Sequence, residues 1–273
     1  MMKSIESKGW LEYESGHAWC ESAYKYNTHP LIAEFANTVT NLPIIVLPLV
    51  NAMMMRKYIR KVNSGVVWPN LLLAFNGIAS TYYHATLNLF GQLVDELSIL
   101  WILNIFLVVY IPVMQWFPEK HKKNIPLFRW SVIILASFIS TLCFFEPNLN
   151  ALALMTYTIP GSMVVHYEGK HANLPEIANF PRRIFILWGL AISCWFSDRL
   201  VCDLWLYLGI PYLHAIFHLL SSVAAYNIFV MFNMIDIEKR NKEHKFTASI
   251  RYFPSKASTI WSLPYIIMRE KNF

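Results

Sequence analysis

Charge is scarce in this chain. Only 15% of its 273 residues are Asp, Glu, Lys or Arg, where soluble domains carry about 25%. That shortage argues against a soluble cytosolic enzyme. It argues equally against intrinsic disorder, which needs low hydrophobicity and high charge. Glycine is scarce too, and nine residues exclude collagen-like or Gly-rich low-complexity architectures. Four cysteines are too few for a disulfide scaffold at this length. The first 30 residues contain Glu6, Glu12, Glu14 and Glu21 and no apolar core, so no cleavable signal peptide is expected.

Long apolar runs are abundant instead. Hydrophobic residues make up 56% of the chain, and the mean hydropathy is +0.37. Seven runs approach the roughly 20 residues that a bilayer requires. They extend approximately over Leu31 to Met55, Gly65 to Ala85, Leu93 to Val113, Phe128 to Phe145, Leu149 to Val165, Ile184 to Leu204 and Leu213 to Met234. The expected organisation is a short N-terminal segment (1–30), a seven-helix transmembrane domain (31–236) and a basic tail (237–273). Ten tryptophans and 14 tyrosines fit an interfacial aromatic belt. Met53, Met54 and Met55 read as lipid-facing.

The net charge of +6 invites a nucleic-acid reading, but the placement of the charges opposes it. With seven spans, 19 of 23 Lys and Arg fall on one side, among them Arg56, Lys57, Lys120, Lys122, Arg182 and the tail. That asymmetry puts the N-terminus outside the cytosol and the C-terminus inside. The basic tail then serves topology and attraction to anionic lipid, and no nucleic-acid partner is expected.

Ionisable residues inside spans are costly and mark functional sites by default. Here they gather at one depth. Glu34 opens the first run, His84 ends the second, and Asp95 and Glu96 open the third. Asp198 and Arg199 lie near the end of the sixth, and His214 and His218 open the seventh. All fall on the non-cytosolic side. His214 and His218 are four apart and share one helix face, as do Ser80 and His84. Three imidazoles with an open fourth position form the pattern of catalytic zinc. Spacing alone leaves a hydrogen-bonded histidine cluster open as well. With a metal present, Asp95 reads as a general base for a water whose pKa zinc lowers to about 7. Ser80 could donate to a developing oxyanion. Without one, Asp95 is a carboxylate favoured by a helix N-terminus. Glu96 points elsewhere and reads as structural or solvated.

Several segments, taken in order, resemble the alkaline ceramidases, membrane hydrolases of a superfamily that includes the adiponectin receptors. They are Trp19-Cys20-Glu21, Ile32-Ala33-Glu34-Phe35, Ser80 to Leu87, Gly91 to Leu97, Trp195 to Arg199 with Cys202, and Pro211-Tyr212-Leu213-His214 with Phe217-His218. In the tail, Arg251-Tyr252-Phe253-Pro254 and Leu263-Pro264-Tyr265 also look like the family.

The resemblance implies an all-α integral membrane fold of seven helices around a zinc near the non-cytosolic face. It implies hydrolysis of the ceramide amide to sphingosine and a fatty acid. Zinc would be held by His84, His214 and His218, with Ser80 and Asp95 as the catalytic serine and aspartate. It also implies a disulfide between Cys20 and Cys202, the other two cysteines lying within spans. A calcium site beside the first helix is a further implication, and there the chain departs from the pattern. Ala18 and Ala23 replace an aspartate and an asparagine, leaving Glu21, Glu34 and the Trp19 carbonyl. Calcium takes six to eight oxygens, so this site is expected to be incomplete. The expected partners are a ceramide or related N-acyl sphingoid lipid and the bilayer of the endoplasmic reticulum or Golgi, with the plasma membrane as an alternative. A zinc-containing seven-helix receptor is disfavoured by the Lys/Arg orientation. A hydrolase of another lipid amide or ester remains the alternative reading.

Overall fold

The computed structural model describes residues 19–21, 29, 31–240, 246–255 and 262–270. The architecture is mostly helical. Two consecutive helices, α1 (Phe35–Val39) and α2 (Leu42–Met54), open the bundle, and α3 (Arg56–Lys61) follows. Next come α4 (Val67–Thr86), α5 (Leu89–Tyr110), α6 (Ile125–Phe145) and α7 (Leu149–His171). The chain continues through α8 (Phe180–Leu200), a short α9 (Cys202–Tyr207) and α10 (Leu213–Arg240).

Among the described residues, four helical stretches are long and apolar enough to cross a membrane: Phe35–Met54, Leu89–Tyr110, Glu119–Phe145 and Leu213–Arg240. The helices α4, α7 and α8 have 20, 23 and 21 residues. They match the required length but carry more polar side chains, such as Asn70 and Asn76 on α4 and Arg182 and Asp198 on α8.

Helix α10 is the axis of the bundle. Of its apolar window 61% is buried, against 11% for the span containing α6. Accordingly α6 turns large apolar side chains outward, including Trp130, Ile134 and Phe138. No aqueous surface accommodates such a face well, whereas hydrocarbon does.

The α4–α5 connection decides where the site forms. Helix α4 ends on Leu87, whose φ of 50° is left-handed. Asn88 then caps α5, its side-chain oxygen accepting from Gly91 N at 2.7 Å. A Cβ on Gly91 would stand 3.0 Å from the Tyr83 Cα, so the residue permits α5 to start directly against the last turn of α4. His84 and Asp95 are thereby brought to one end of the bundle.

At the other end the chain departs from a purely helical expectation. Strands β1 (Phe246–Phe253) and β2 (Leu263–Glu270) form an antiparallel hairpin within the segment read as a basic tail, pairing from Phe246↔Glu270 to Phe253↔Leu263. Phe246 and Ile266 are buried in the main core beside Tyr58 and Val230. An ion pair joins Lys61 on α3 to Glu270 on β2, and Arg183 on α8 donates to the Ser262 carbonyl. The last helix also runs to Arg240, past the expected end of the spans. Its Asp236 is buried, accepting from Tyr58 Oη at 2.7 Å, Asn63 Nδ2 at 2.9 Å and Arg240 Nε at 2.8 Å.

Candidate metal centre and active site

His84 comes from the last turn of α4, and His214 and His218 from the first turns of α10. All three are buried. One ring nitrogen from each lies within 4.8 Å of the others. The ring of His84 stands 5.1 Å from His214 and 4.8 Å from His218, centroid to centroid.

Each ring is oriented from outside the cluster. His84 Nδ1 donates to Glu34 Oε2 at 2.6 Å. His218 Nδ1 donates to the Asn37 carbonyl at 3.0 Å, with Thr40 Oγ1 at 3.2 Å. These tautomers, assigned from the hydrogen-bond network, turn the Nε2 atoms of His84 and His218 toward the cluster centre. His214 is stacked on Trp19, with centroids 3.5 Å apart, and its backbone N–H donates to Asp198 Oδ1 at 3.2 Å. His84 Nε2 and His214 Nδ1 are buried without a hydrogen-bond partner. Burying an acceptor without a partner costs free energy. Three buried imidazoles sharing one centre, two of them held by a carboxylate and a carbonyl, are the arrangement that outer-shell groups impose on metal-binding histidines.

Ser80 and Asp95 meet as well. The Ser80 side chain hydrogen-bonds the Asp95 carboxylate, and Ser80 lies one helical turn before His84. Asn76, a further turn back, donates through Nδ2 to Asp95 Oδ1 at 3.3 Å, to the Asp95 carbonyl at 3.1 Å and to Ser98 Oγ at 2.8 Å. Sequence reasoning passed over Asn76, although its i, i+4 spacing to Ser80 and then His84 places all three on one face. Glu96 is turned away, accepting from Gln92 Nε2 at 3.1 Å and from Asn150 Nδ2 on α7 at 2.5 Å. Its role is a cross-link between α5 and α7.

The residues expected at a calcium site are largely engaged elsewhere. Glu21 accepts from Ala36 N at 2.6 Å and from Asn37 N at 2.7 Å, capping the first turn of α1. Burial pushes its carboxyl above the ordinary range, and those two N–H groups oppose the shift. Glu34 Oε2 is shared by His84 and by Asn37 Nδ2 at 3.1 Å, and the Trp19 backbone N–H hydrogen-bonds the same carboxylate. Ala18 and Ala23 lie outside the described residues.

A strap closes over the cluster. Cys20 and Cys202 form a disulfide with Cα atoms 5.5 Å apart, and Cys143 and Cys194 are free thiols. Asp198 connects the strap to the histidine cluster, since Oδ2 accepts from Cys20 N at 3.0 Å while Oδ1 holds the start of α10. Its position among the clustered ionisable residues was readable in the sequence, but its two-sided bonding was not.

Residues 11–267, nearly the whole of this assembly, match the family described as Ceramidase. The chain belongs to the ceramidase family. It is 64% identical over 271 residues to the alkaline ceramidase of Caenorhabditis elegans, covering 99% of this chain and 100% of that one. It is 32% identical to the alkaline ceramidase of Drosophila melanogaster over 97% of this chain and 93% of the relative. To alkaline ceramidase 1 of Homo sapiens it is 31% identical, over 94% and 96% of the two chains. Ceramidase membership makes this chain an enzyme, and among the described residues the buried histidine cluster is a group able to hold a metal.

Proposed function

We propose that the chain hydrolyses the amide bond of ceramide, releasing sphingosine and a free fatty acid, with zinc held by His84, His214 and His218. The single observation that carries this reading is the convergence of three buried imidazoles, two of them with a ring nitrogen that lacks a partner, in a chain of the ceramidase family. The all-imidazole donor set, with no thiolate, suits zinc in a catalytic rather than a structural role. When bound, zinc supplies Lewis acidity and makes water a nucleophile near neutral pH.

The chain's own groups then have defined tasks. Asp95 accepts a proton from the attacking water and returns it to the amide nitrogen, so that the C–N bond breaks to a neutral amine. Asn76 and Ser80 fix the Asp95 carboxylate. Once Asp95 has taken the proton, Ser80, one turn from His84, turns its single O–H from the carboxyl group to the carbonyl oxygen as negative charge develops there. Glu34 and the Asn37 carbonyl keep the proton of each imidazole on its outer nitrogen and aim the other nitrogen inward. The exposed apolar helix faces contact the bilayer, from which a double-chained substrate enters.

The same reading takes the seven long helices as seven spans, with the N-terminus outside the cytosol, the C-terminus inside and the enzyme resident in the endoplasmic reticulum or Golgi. The Lys/Arg asymmetry supports that orientation. Calcium binding is weak or absent in this reading, because Glu21 already serves backbone N–H groups and Ala18 and Ala23 bring no oxygen side chain. The test is a panel of N-acyl lipids incubated with purified protein, with and without a zinc chelator. Ceramide cleavage abolished by the chelator is expected. Cleavage of another lipid amide or ester in preference to ceramide would overturn the substrate assignment.

A further inference from the structure

At the end of the bundle opposite the histidines lies a second polar site. A cavity of about 440 Å³ opens between the chain following α5, the start of the α5–α6 connection and the last turn of α10. Its basic lining residues are Lys122, Lys239 and Arg240. His214 and Arg240 stand at the two ends of one straight helix, so the cavity is about 39 Å from the metal centre at 1.5 Å per residue.

The charges around it are unevenly matched. Glu119 pairs with Lys122, and buried Asp236 pairs with Arg240 at 2.8 Å. The Glu168 carboxylate is occupied by the backbone N–H groups of Gln115 and Trp116, at 3.0 and 2.6 Å. Lys239 has no partner among the described residues. Arg129 bonds the Val108 carbonyl at 2.8 Å and lies close enough to Arg240 for the two guanidinium charges to repel. Cationic side chains held together in a concave site, beyond what the neighbouring acids neutralise, favour an anion of more than one negative charge. The volume falls in the range of small-ligand pockets. Phosphate chemistry fits this donor set, since Arg presents a planar fork and Lys a compact point charge.

We propose that this cavity binds a phosphomonoester group, carried on a lipid headgroup or as free phosphate. Lys239 supplies the unpaired charge, Lys122 adds its ammonium beside Glu119, which also lines the cavity, and Arg240 is held in place by Asp236. The site is independent of the proposed hydrolysis.

Binding of a fluorescent phosphatidylinositol phosphate to the full-length protein in phosphatidylcholine nanodiscs tests this directly. Saturable binding is expected, weakened about tenfold or more by K122A/K239A, since each basic residue near a surface contributes an appreciable attraction to anionic lipid. The charge-matched variant R56A/R60A, on exposed α3, should leave binding within about twofold, as scattered surface charges are strongly screened. An unchanged melting temperature in phosphatidylcholine shows that each variant is folded. Competition by millimolar inorganic phosphate would identify the free ion as a sufficient ligand, and its failure would assign the site to the lipid headgroup. Equal weakening by both double variants would reduce the effect to diffuse electrostatics and overturn the proposal. So would the absence of saturable binding of either probe.

Discussion

The Glu34 carboxylate lies 2.6 Å from Nδ1 of His84, with both side chains buried. The adjoining backbone reinforces the pair, because Glu34 N donates to the His84 carbonyl at 3.0 Å and Ala33 N to the Ala85 carbonyl at 3.0 Å. The segment entering α1 is therefore fastened to the end of α4 through one residue that also aims a candidate metal ligand.

Replacing Glu34 with Gln keeps the shape of that contact and removes its charge. We expect the zinc affinity to fall about 10- to 100-fold, the range for lost outer-shell partners. A competition titration with a metal-binding dye measures this. Unchanged affinity would mean that Glu34 organises the chain entry without influencing the metal.

Asp95 is held by Asn76 and Ser80 and is not among the three proposed metal ligands. Asp95→Asn should therefore leave bound zinc unchanged and lower turnover about 10²-fold or more, as for a lost general base. Zinc content and single-turnover sphingosine release, measured on the same preparation, separate the two effects. Normal turnover would return Asp95 to the role of a helix-end carboxylate.

The candidate site was legible because burial of ionisable groups in apolar helices is so unfavourable that their shared depth stands out. His84, Asp95, Asp198 and His214 could be placed at one end from span alternation alone, and the structure puts them there. The partners of those groups were harder to read. Asn37 acts through its main-chain carbonyl, a group that every residue possesses, and Glu21 acts as a cap on a helix 14 residues away in sequence. The hairpin was missed because charges such as Arg251 and Arg269 made its segments look like solvated tail. Its core-facing residues, Phe246 and Ile266, carry meaning only once Tyr58 and Val230 are seen beside them.

Calcium offers a test by gain of function. Ala18→Asp with Ala23→Asn introduces the two oxygen-bearing side chains that the family pattern has at these positions, and we expect calcium stimulation of ceramide hydrolysis to become stronger than in the unmodified protein. Titrating calcium against turnover for both proteins decides it. Micromolar activation of the unmodified protein, unaffected by the double change, would show that its shell is complete without them.

The far end of the bundle yields a stability prediction. Tyr58 Oη donates to buried Asp236 at 2.7 Å, so Tyr58→Phe leaves that carboxylate short of a donor. The expected loss is about 1–3 kcal/mol, read as a lowered melting temperature in detergent with zinc content unchanged. An unaltered melting temperature would mean that Asn63 and Arg240 satisfy Asp236 unaided.

The central claim is that the three histidines hold a zinc on which amide hydrolysis depends. Zinc content and sphingosine release, measured together on the purified protein and on His218→Ala, test it most directly. The account predicts one zinc per chain in the unmodified protein, removed by a chelator together with activity and restored with it on adding zinc back. It predicts that His218→Ala, with one of three ligands gone, loses both. Full ceramide turnover by metal-free protein, or a full equivalent of zinc with normal turnover in His218→Ala, would contradict it.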